Sequence, residues 1–498
     1  MMPTKIPVQL LLLLSIITPT LAQQKVYETD IHLKSGIEIT KDVLAIPLDD
    51  GRMQILFLDR NSIEGILLDS MFREQTSRHI PRPASMSGYL HGYTVSDEDI
   101  NLFMSDANQK QFLIHSVSIT NTTDRVKKVG RIKKEKLLTA FNYRNKFYLF
   151  TIKKRSSILF LYEFDKDNLT SIVEIDLSEY KFSNSDYPDL YSNIMTNENM
   201  TAGSSPLSVN FIDLKDPVGI ESTFEEAKVY LKGDQLVFTL DNELSNTKVI
   251  TIDFKNFEYT CDIIEHESLN CEAYAVKSNS FLTGNMLFQV KACKSMLRLQ
   301  VKDWQSKELL GSHQISPEDA SLIQGKITIE KTSSLALINQ ENEKVQTLDT
   351  GKIKSLLRKL KRGNLGISVN SVQDHYILTM GGKQENNSTS YPGFPSATTT
   401  LVTPYGPTEV LTYSSTLSNY SDYKNERTTY FKTILDKSLQ VTKRNTLLTS
   451  FDLVKQFEES LNHKPLIETL VRRGNTYLYG YYDKQKKTYS FYEFPVIM

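Results

Sequence analysis

Three cysteines in 498 residues, one tryptophan and eight histidines scattered singly leave this chain poor in the residues that staple folds or build catalytic centres. So few cysteines exclude a disulfide-dense scaffold, and a hydrophobic core has to carry the stability. In an oxidising compartment Cys261 and Cys271 could close a short loop and leave Cys293 free, while three buried, inert thiols are the alternative reading. The chain lacks a Gly-x-Ser-x-Gly elbow, a His-Glu-x-x-His pair, a phosphate-cradling glycine loop and a Cys-x-x-Cys. No catalytic, cofactor-binding or metal-ligating residue is therefore assigned. His91 and His375 sit near inner or middle strands, where separate segments could bring ligands together, but a hydrogen-bonded histidine on a strand face is the simpler reading. Asp97-Glu98-Asp99 and Asp165-Lys166-Asp167-Asn168 lack the glycine and late glutamate of a calcium loop and read as solvated turns. A formal net charge of −1 gives no global pull toward nucleic acid or an anionic membrane.

Long apolar runs are also missing, with one exception. Lys5 precedes the run Val8 to Ile17, interrupted only by Gln9 and Ser15, and Thr20-Leu21-Ala22 then supplies small residues before Gln23. A charged start, a short apolar core and a small-residue junction form a secretory signal peptide over residues 1–22. The apolar stretch falls short of the roughly 20 residues a spanning helix needs. No later segment is apolar enough to cross a bilayer. The expected location is secreted, or periplasmic within a cell envelope.

Alternating strands are abundant. Asn145 to Phe164, Gly233 to Phe254, Asn285 to Trp304 and Asn475 to Phe494 each contain two aromatic or β-branched strands around a polar turn. Each unit ends on an acidic–aromatic pair: Glu163-Phe164, Asp253-Phe254, Asp303-Trp304 and Glu493-Phe494. Asp42 to Leu58 reads as a hairpin across Asp49-Asp50-Gly51, and Tyr89 to Ile119 as three strands. Lys326 to Leu348 reads as three short strands, with two more in each of Asn364 to Met380 and Tyr430 to Val441. Helical spacing marks Lys352 to Arg362 and Phe451 to Leu461, the latter with Ser450 in position to cap. The basic run from Arg125 to Lys136 has few interleaved aromatics and reads as a solvated connector, not a nucleic-acid platform.

A meander unit that cannot bury its own faces must stack on copies of itself. The repeated hairpin ends resemble the blade ends of β-propellers, and the resemblance spans most of the chain at the level of fold. They do not match the Gly-His and Trp-Asp pattern of WD40 repeats. The expected architecture is all-β: four-stranded antiparallel blades, seven fitting best and six to eight compatible. Tyr27 to Leu33 is expected to complete the last sheet and remove an open edge.

Two excursions, 181–221 and 381–427, interrupt the hairpins. By strand count the first joins an outer strand to the next inner strand, and the second joins two middle strands of one blade. Both connections emerge on one face of a propeller. Tyr391, Phe394, Tyr405, Tyr413 and Tyr420 in the second excursion are candidate contact residues for sugar or peptide. The functional expectation is a non-enzymatic module that binds protein, peptide or glycan through this face and needs no cofactor. A glycan hydrolase or lyase with carboxylates converging on the axis is the alternative, as is a periplasmic assembly factor.

Overall fold

The computed structural model describes residues 23–497 apart from 32–41, 59–61, 82–88, 107–108, 133, 184–187, 195–208, 272–275, 324–326, 330–349, 384–401, 404–405, 408–414, 425–427 and 445. The described residues form seven sheets that each contain a four-stranded antiparallel blade, the architecture of a β-propeller. Blade 1 is Asp42–Pro47, Met53–Leu58, Ser62–Leu68 and Glu74–Pro81. Blade 2 is Leu90–Val95, Asp99–Ser105, Gln111–Ser118 and Asp124–Arg131. Blade 3 is Glu135–Tyr143, Lys146–Lys153, Ile158–Asp165 and Asn168–Asp176. Blade 4 is Ala227–Lys232, Gln235–Glu243, Asn246–Asp253 and Tyr259–Glu265, with Val209–Asp213 added parallel to its first strand. Blade 5 is Lys277–Thr283, Met286–Ala292, Leu297–Asp303 and Leu309–Ile315.

The last two blades depart from simple chain order. Blade 6 is Asn364–Val372, His375–Lys383 and Thr429–Asp436, and its outer strand, Thr328–Ile329, comes from earlier in the chain. Of the three strands expected between Lys326 and Leu348, this short one is the only one within the described residues. Blade 7 is Leu466–Arg473, Thr476–Asp483 and Thr488–Pro495, completed by Gln24–Asp30. The N-terminal strand pairs Tyr27 with Phe491 and Thr29 with Tyr489. It starts earlier than the expected Tyr27 and ends at Asp30, while His32 and Leu33 lie outside the described residues.

Continuous apolar runs follow from blades that are covered on both faces. In blade 3, Phe147 and Leu149 enter the core shared with blade 2, whereas Tyr148, Phe150 and Ile152 enter the core shared with blade 4. In blade 1, Ile55 and Phe57 face blade 7 while Leu56 and Leu58 face blade 2. Side chains alternate between faces along a strand, so consecutive positions such as Ile55 to Leu58 and Phe147 to Phe150 are apolar. Phe57 of blade 1 meets Tyr489 of blade 7 edge-on at 5.2 Å, so the last blade packs on the first. The acidic–aromatic ends divide two tasks. Asp303 Oδ1 accepts the Gln305 and Ser306 N–H groups and fixes its turn, and Asp253 Oδ1 does the same for Lys255 N–H. Phe164 packs toward Phe103 of blade 2, and Phe254 toward Phe141 and Tyr143 of blade 3.

Among the described residues four α-helices lie between strands: α1 (Leu190–Ile194), α2 (Thr350–Arg362), α3 (Ser415–Lys424) and α4 (Ser450–Ser460). Helix α2 buries Ile353, Leu356, Leu357 and Leu360, the stripe its spacing predicts. Thr449, not Ser450, caps α4, because its hydroxyl and the Asp452 carboxylate form a capping box. Ser450 Oγ instead accepts the Ile497 N–H. The basic run is also corrected. Asp124–Arg131 is the outer strand of blade 2, hydrogen-bonded to Gln111–Ser118, and its exposed outer edge explains the polar sequence.

Candidate binding face

The strand directions define two faces. One carries the connections between second and third strands and between consecutive blades, and both excursions leave from it. The opposite face carries the remaining turns.

Both excursions run into the axis. Val209–Asp213 lies alongside the inner strand of blade 4, and the chain then turns at 213–217 near the opposite face. There Arg472 of blade 7 donates to Lys215 O at 2.7 Å, and Tyr477 OH donates to Asp216 Oδ1 at 2.9 Å. Returning, Val218 is held by the Asn370 amide of blade 6, and Thr223 O accepts from Asn279 of blade 5. One segment thus touches blades 4, 5, 6 and 7.

Helix α3, from the second excursion, packs against it. Ser222 Oγ donates to Asp422 Oδ2 at 2.6 Å. A Cβ on Gly219 would stand 2.6 Å from Tyr423 Cα, so only glycine permits this approach. Toward the loop-bearing face, Lys424 Nζ donates to Glu458 Oε1 at 2.9 Å and also to Glu468. Tyr420 OH donates to Glu458 Oε2 at 2.7 Å, and Tyr479 OH to Glu468 Oε2 at 3.2 Å. Burial works against the Lys424 ammonium, but Glu468 and Glu458 hold its pKa above the ordinary lysine value. Burial keeps the Glu468 carboxyl above the usual range although Lys424 pulls the other way. Burial, with Asp213 nearby, pushes Asp216 up to about 6. The axis is a plug of the chain's own polar and aromatic side chains.

Of the expected contact residues, Tyr391, Phe394, Tyr405 and Tyr413 lie outside the described residues. Tyr420 is fully buried against Phe451 and Tyr479, so it is a packing residue and no partner can reach it. The disulfide expectation is also corrected. Cys271 bonds to Cys293, and Cys261 is the free thiol, paired by backbone to Ile250 within an outer strand. The connection between blades 4 and 5 and the middle connection of blade 5 adjoin, which brings residues 22 apart into bonding range. Burial pushes the Cys261 thiol up to about 11, so it is a poor nucleophile.

His91 and His375 sit in blades 2 and 6 and are not brought together. His91 is buried against Ser105 Oγ at 2.7 Å, and burial pushes its pKa down to about 4. Among the described residues no group of three or more His, Cys, Asp and Glu is placed to hold a metal ion. No helix among them is long and apolar enough to cross a membrane. A cavity of about 200 Å³ lies between blade 6 and the start of α4, lined by Ile377, Lys432, Ile434 and Leu447. That is below the roughly 300–1,000 Å³ of small-molecule sites. Lys424, Glu458 and Glu468 come from two helices and a strand, so no local spacing announced their cluster.

The chain is a β-propeller by architecture. No protein-family model matches it, and no curated protein matches it by sequence. Among solved structures, it is similar to cobalt-substituted apocarotenoid oxygenase from Synechocystis at 8% identity and a TM-score of 0.27, over 55% of this chain and 61% of that one. It is also similar to a prolyl endopeptidase at 9% identity and a TM-score of 0.31, over 89% of this chain and 46% of that one. The chain thus spans less than two thirds of either protein's length, and likeness at these scores carries no argument about activity.

Proposed function

We propose that the protein is exported and acts as a non-enzymatic propeller that binds a protein, peptide or glycan through its loop-bearing face. The observation behind this reading is the plugged axis. Among the acidic groups that converge there, Asp216, Asp422, Glu458 and Glu468 are each engaged in holding the plug, by Tyr477, Ser222, Lys424 or a neighbouring tyrosine. A glycan hydrolase needs two carboxylates facing an open cleft about 5–10 Å apart. Here Lys424 bridges the best-placed pair, so the hydrolase reading is the weaker one. Export rests on the Lys5-to-Ala22 pattern, and the Cys271–Cys293 bond suits an oxidising compartment. Native protein beginning at Gln23 by mass spectrometry is the expected result. An intact Met1 on cytoplasmic protein would end the export reading.

Gly381 to Arg427 cannot be removed as a whole, because Gly381 packs on Thr429 O and α3 fills the axis. Replacing only residues 385–412 with a short Gly-Ser linker keeps both anchors. The expected outcome is an unchanged melting curve with loss of whatever co-purifies with the native protein. Full capture by the shortened protein would show that this segment is not the site.

A further inference from the structure

The loop-bearing face at blades 2 and 3 carries six exposed cations: Lys110, Arg131, Lys134, Lys153, Lys154 and Arg155. They come from three adjoining connections. Ile132 N–H donates to Lys110 O at 3.2 Å, and Lys154 N–H donates to Lys134 O at 2.9 Å. Helix α1 continues the row, with Tyr191 N–H on Ser156 O at 3.1 Å.

None of the six has an ion-pair partner among the described residues. Of the nearby carboxylates, Asp176 feels the Lys153 charge without forming an ion pair and accepts the Ser178 N–H, and Asp189 accepts from Ser192. Asp106 accepts the backbone N–H groups of Lys110 and Gln111, and Glu135 accepts from Thr151 and Tyr162. Toward the opposite face the same two blades pair several of their cations. Arg125 lies 3.1 Å from Asp99, Lys127 3.9 Å from Asp167, and Arg144 2.7 Å from Asp234 of blade 4. One strand, Asp124–Arg131, therefore has paired cations at its start and an unpaired one at its end. A self-repelling cluster with no ion pair of its own and Asp176 as a nearby counter-charge, in a chain of net charge −1, suits an external polyanion.

We propose that this patch docks an acidic glycan, one bearing sulfate or uronate groups. The assignment rests on the export reading above and specifies the class of partner. Tyr191 borders the patch beside Arg155, half-buried, and offers its ring to a pyranose next to the cations. None of the large apolar side chains exposed among the described residues lies in these three connections, so the patch lacks the anchors of a membrane-inserting surface.

The test measures binding to heparin and polygalacturonate, with neutral dextran, phosphatidylserine vesicles and single-stranded DNA as comparisons. Four proteins enter it: wild type, a patch variant (Lys110→Gln, Arg131→Gln, Lys154→Gln, Arg155→Gln), a charge-matched control on the opposite face (Arg52→Gln, Lys255→Gln, Lys307→Gln, Lys437→Gln) and the 385–412 replacement. All substituted side chains are at the surface, and melting curves check that each fold is intact. Expected are salt-dependent binding of an acidic glycan by wild type, weakening by about tenfold or more with a shallower salt slope in the patch variant, and little change in the control. Equal binding by patch variant and control overturns the proposal, as does tighter binding to vesicles or DNA than to glycan. Glycan binding that survives the loop replacement but not the patch substitutions supports it, whatever becomes of the loop as a partner site. Partner capture lost on loop replacement, with glycan binding indifferent to the patch, overturns this inference alone.

Discussion

Asp241 pins the seam between blades 4 and 5. Its Oδ2 accepts from Lys228 Nζ at 3.1 Å and from the Ser280 backbone and hydroxyl at 2.9 and 2.8 Å, while Oδ1 accepts from Thr247 at 2.7 Å. Both charged side chains are fully buried. Removing one partner strands the other charge, so Asp241→Ala should lower unfolding free energy by about 3–5 kcal/mol in denaturant titration. A loss under about 1 kcal/mol would show that Lys228 finds another acceptor. Asp216 contributes a pH dependence of definite sign. Its folded pKa, about 6, lies above the ordinary 3.8, so proton binding favours the folded state. That contribution is complete below about pH 4 and is lost as pH rises through 6. Asp216→Asn keeps an acceptor for Tyr477 and cannot ionise, so its melting temperature should exceed wild type at pH 8 and converge with it toward pH 4. A difference that is flat across this range would contradict the assignment. Neither role was legible in the sequence, since Asp216 meets Tyr477 of blade 7 and Asp241 reaches Ser280 of blade 5. The cysteine pairing failed for a related reason: spacing favoured Cys261 with Cys271, but Cys261 is locked in a strand and Cys293 arrives from the next blade.

The hairpins were legible because both sides of a central strand are apolar and their turns are polar. Met286–Ala292 and Leu297–Asp303 fall where the alternation of Met286, Leu287 and Phe288 places them. Helix α2 was legible from its stripe. Helix α3 was not, because it is packed on several sides. It buries Thr416, Asn419 and Asp422 along with Tyr420 and Tyr423, so no apolar stripe separates from a polar one. Thr328–Ile329 was expected as a strand but not as the outer strand of blade 6, because its partner Thr429–Asp436 lies far along the chain. The N-terminal strand is the element most open to test. Tyr27 is buried in the core between blades 7 and 1, and Gln24–Asp30 covers the edge of Thr488–Pro495. Deleting residues 23–31 should lower the melting temperature by several degrees and raise aggregation through the exposed edge. An unchanged melting curve would mean that blade 7 is complete with three strands.

At the scale of the molecule, the chain uses its two longest connections to fill its own axis, and this redirects attention from the channel to the face. The architecture was legible from repetition. The plug was not, because it depends on contacts between segments 200 residues apart, such as Ser222 with Asp422. Hydrogen exchange of the native protein, free and loaded with its co-purifying partner, tests the central claim most directly. The account predicts that α3 and 209–224 are protected in both states, while new protection appears at the connections of the loop-bearing face. Exposure of α3 on loading, or new protection confined to the turns of the opposite face, would contradict it.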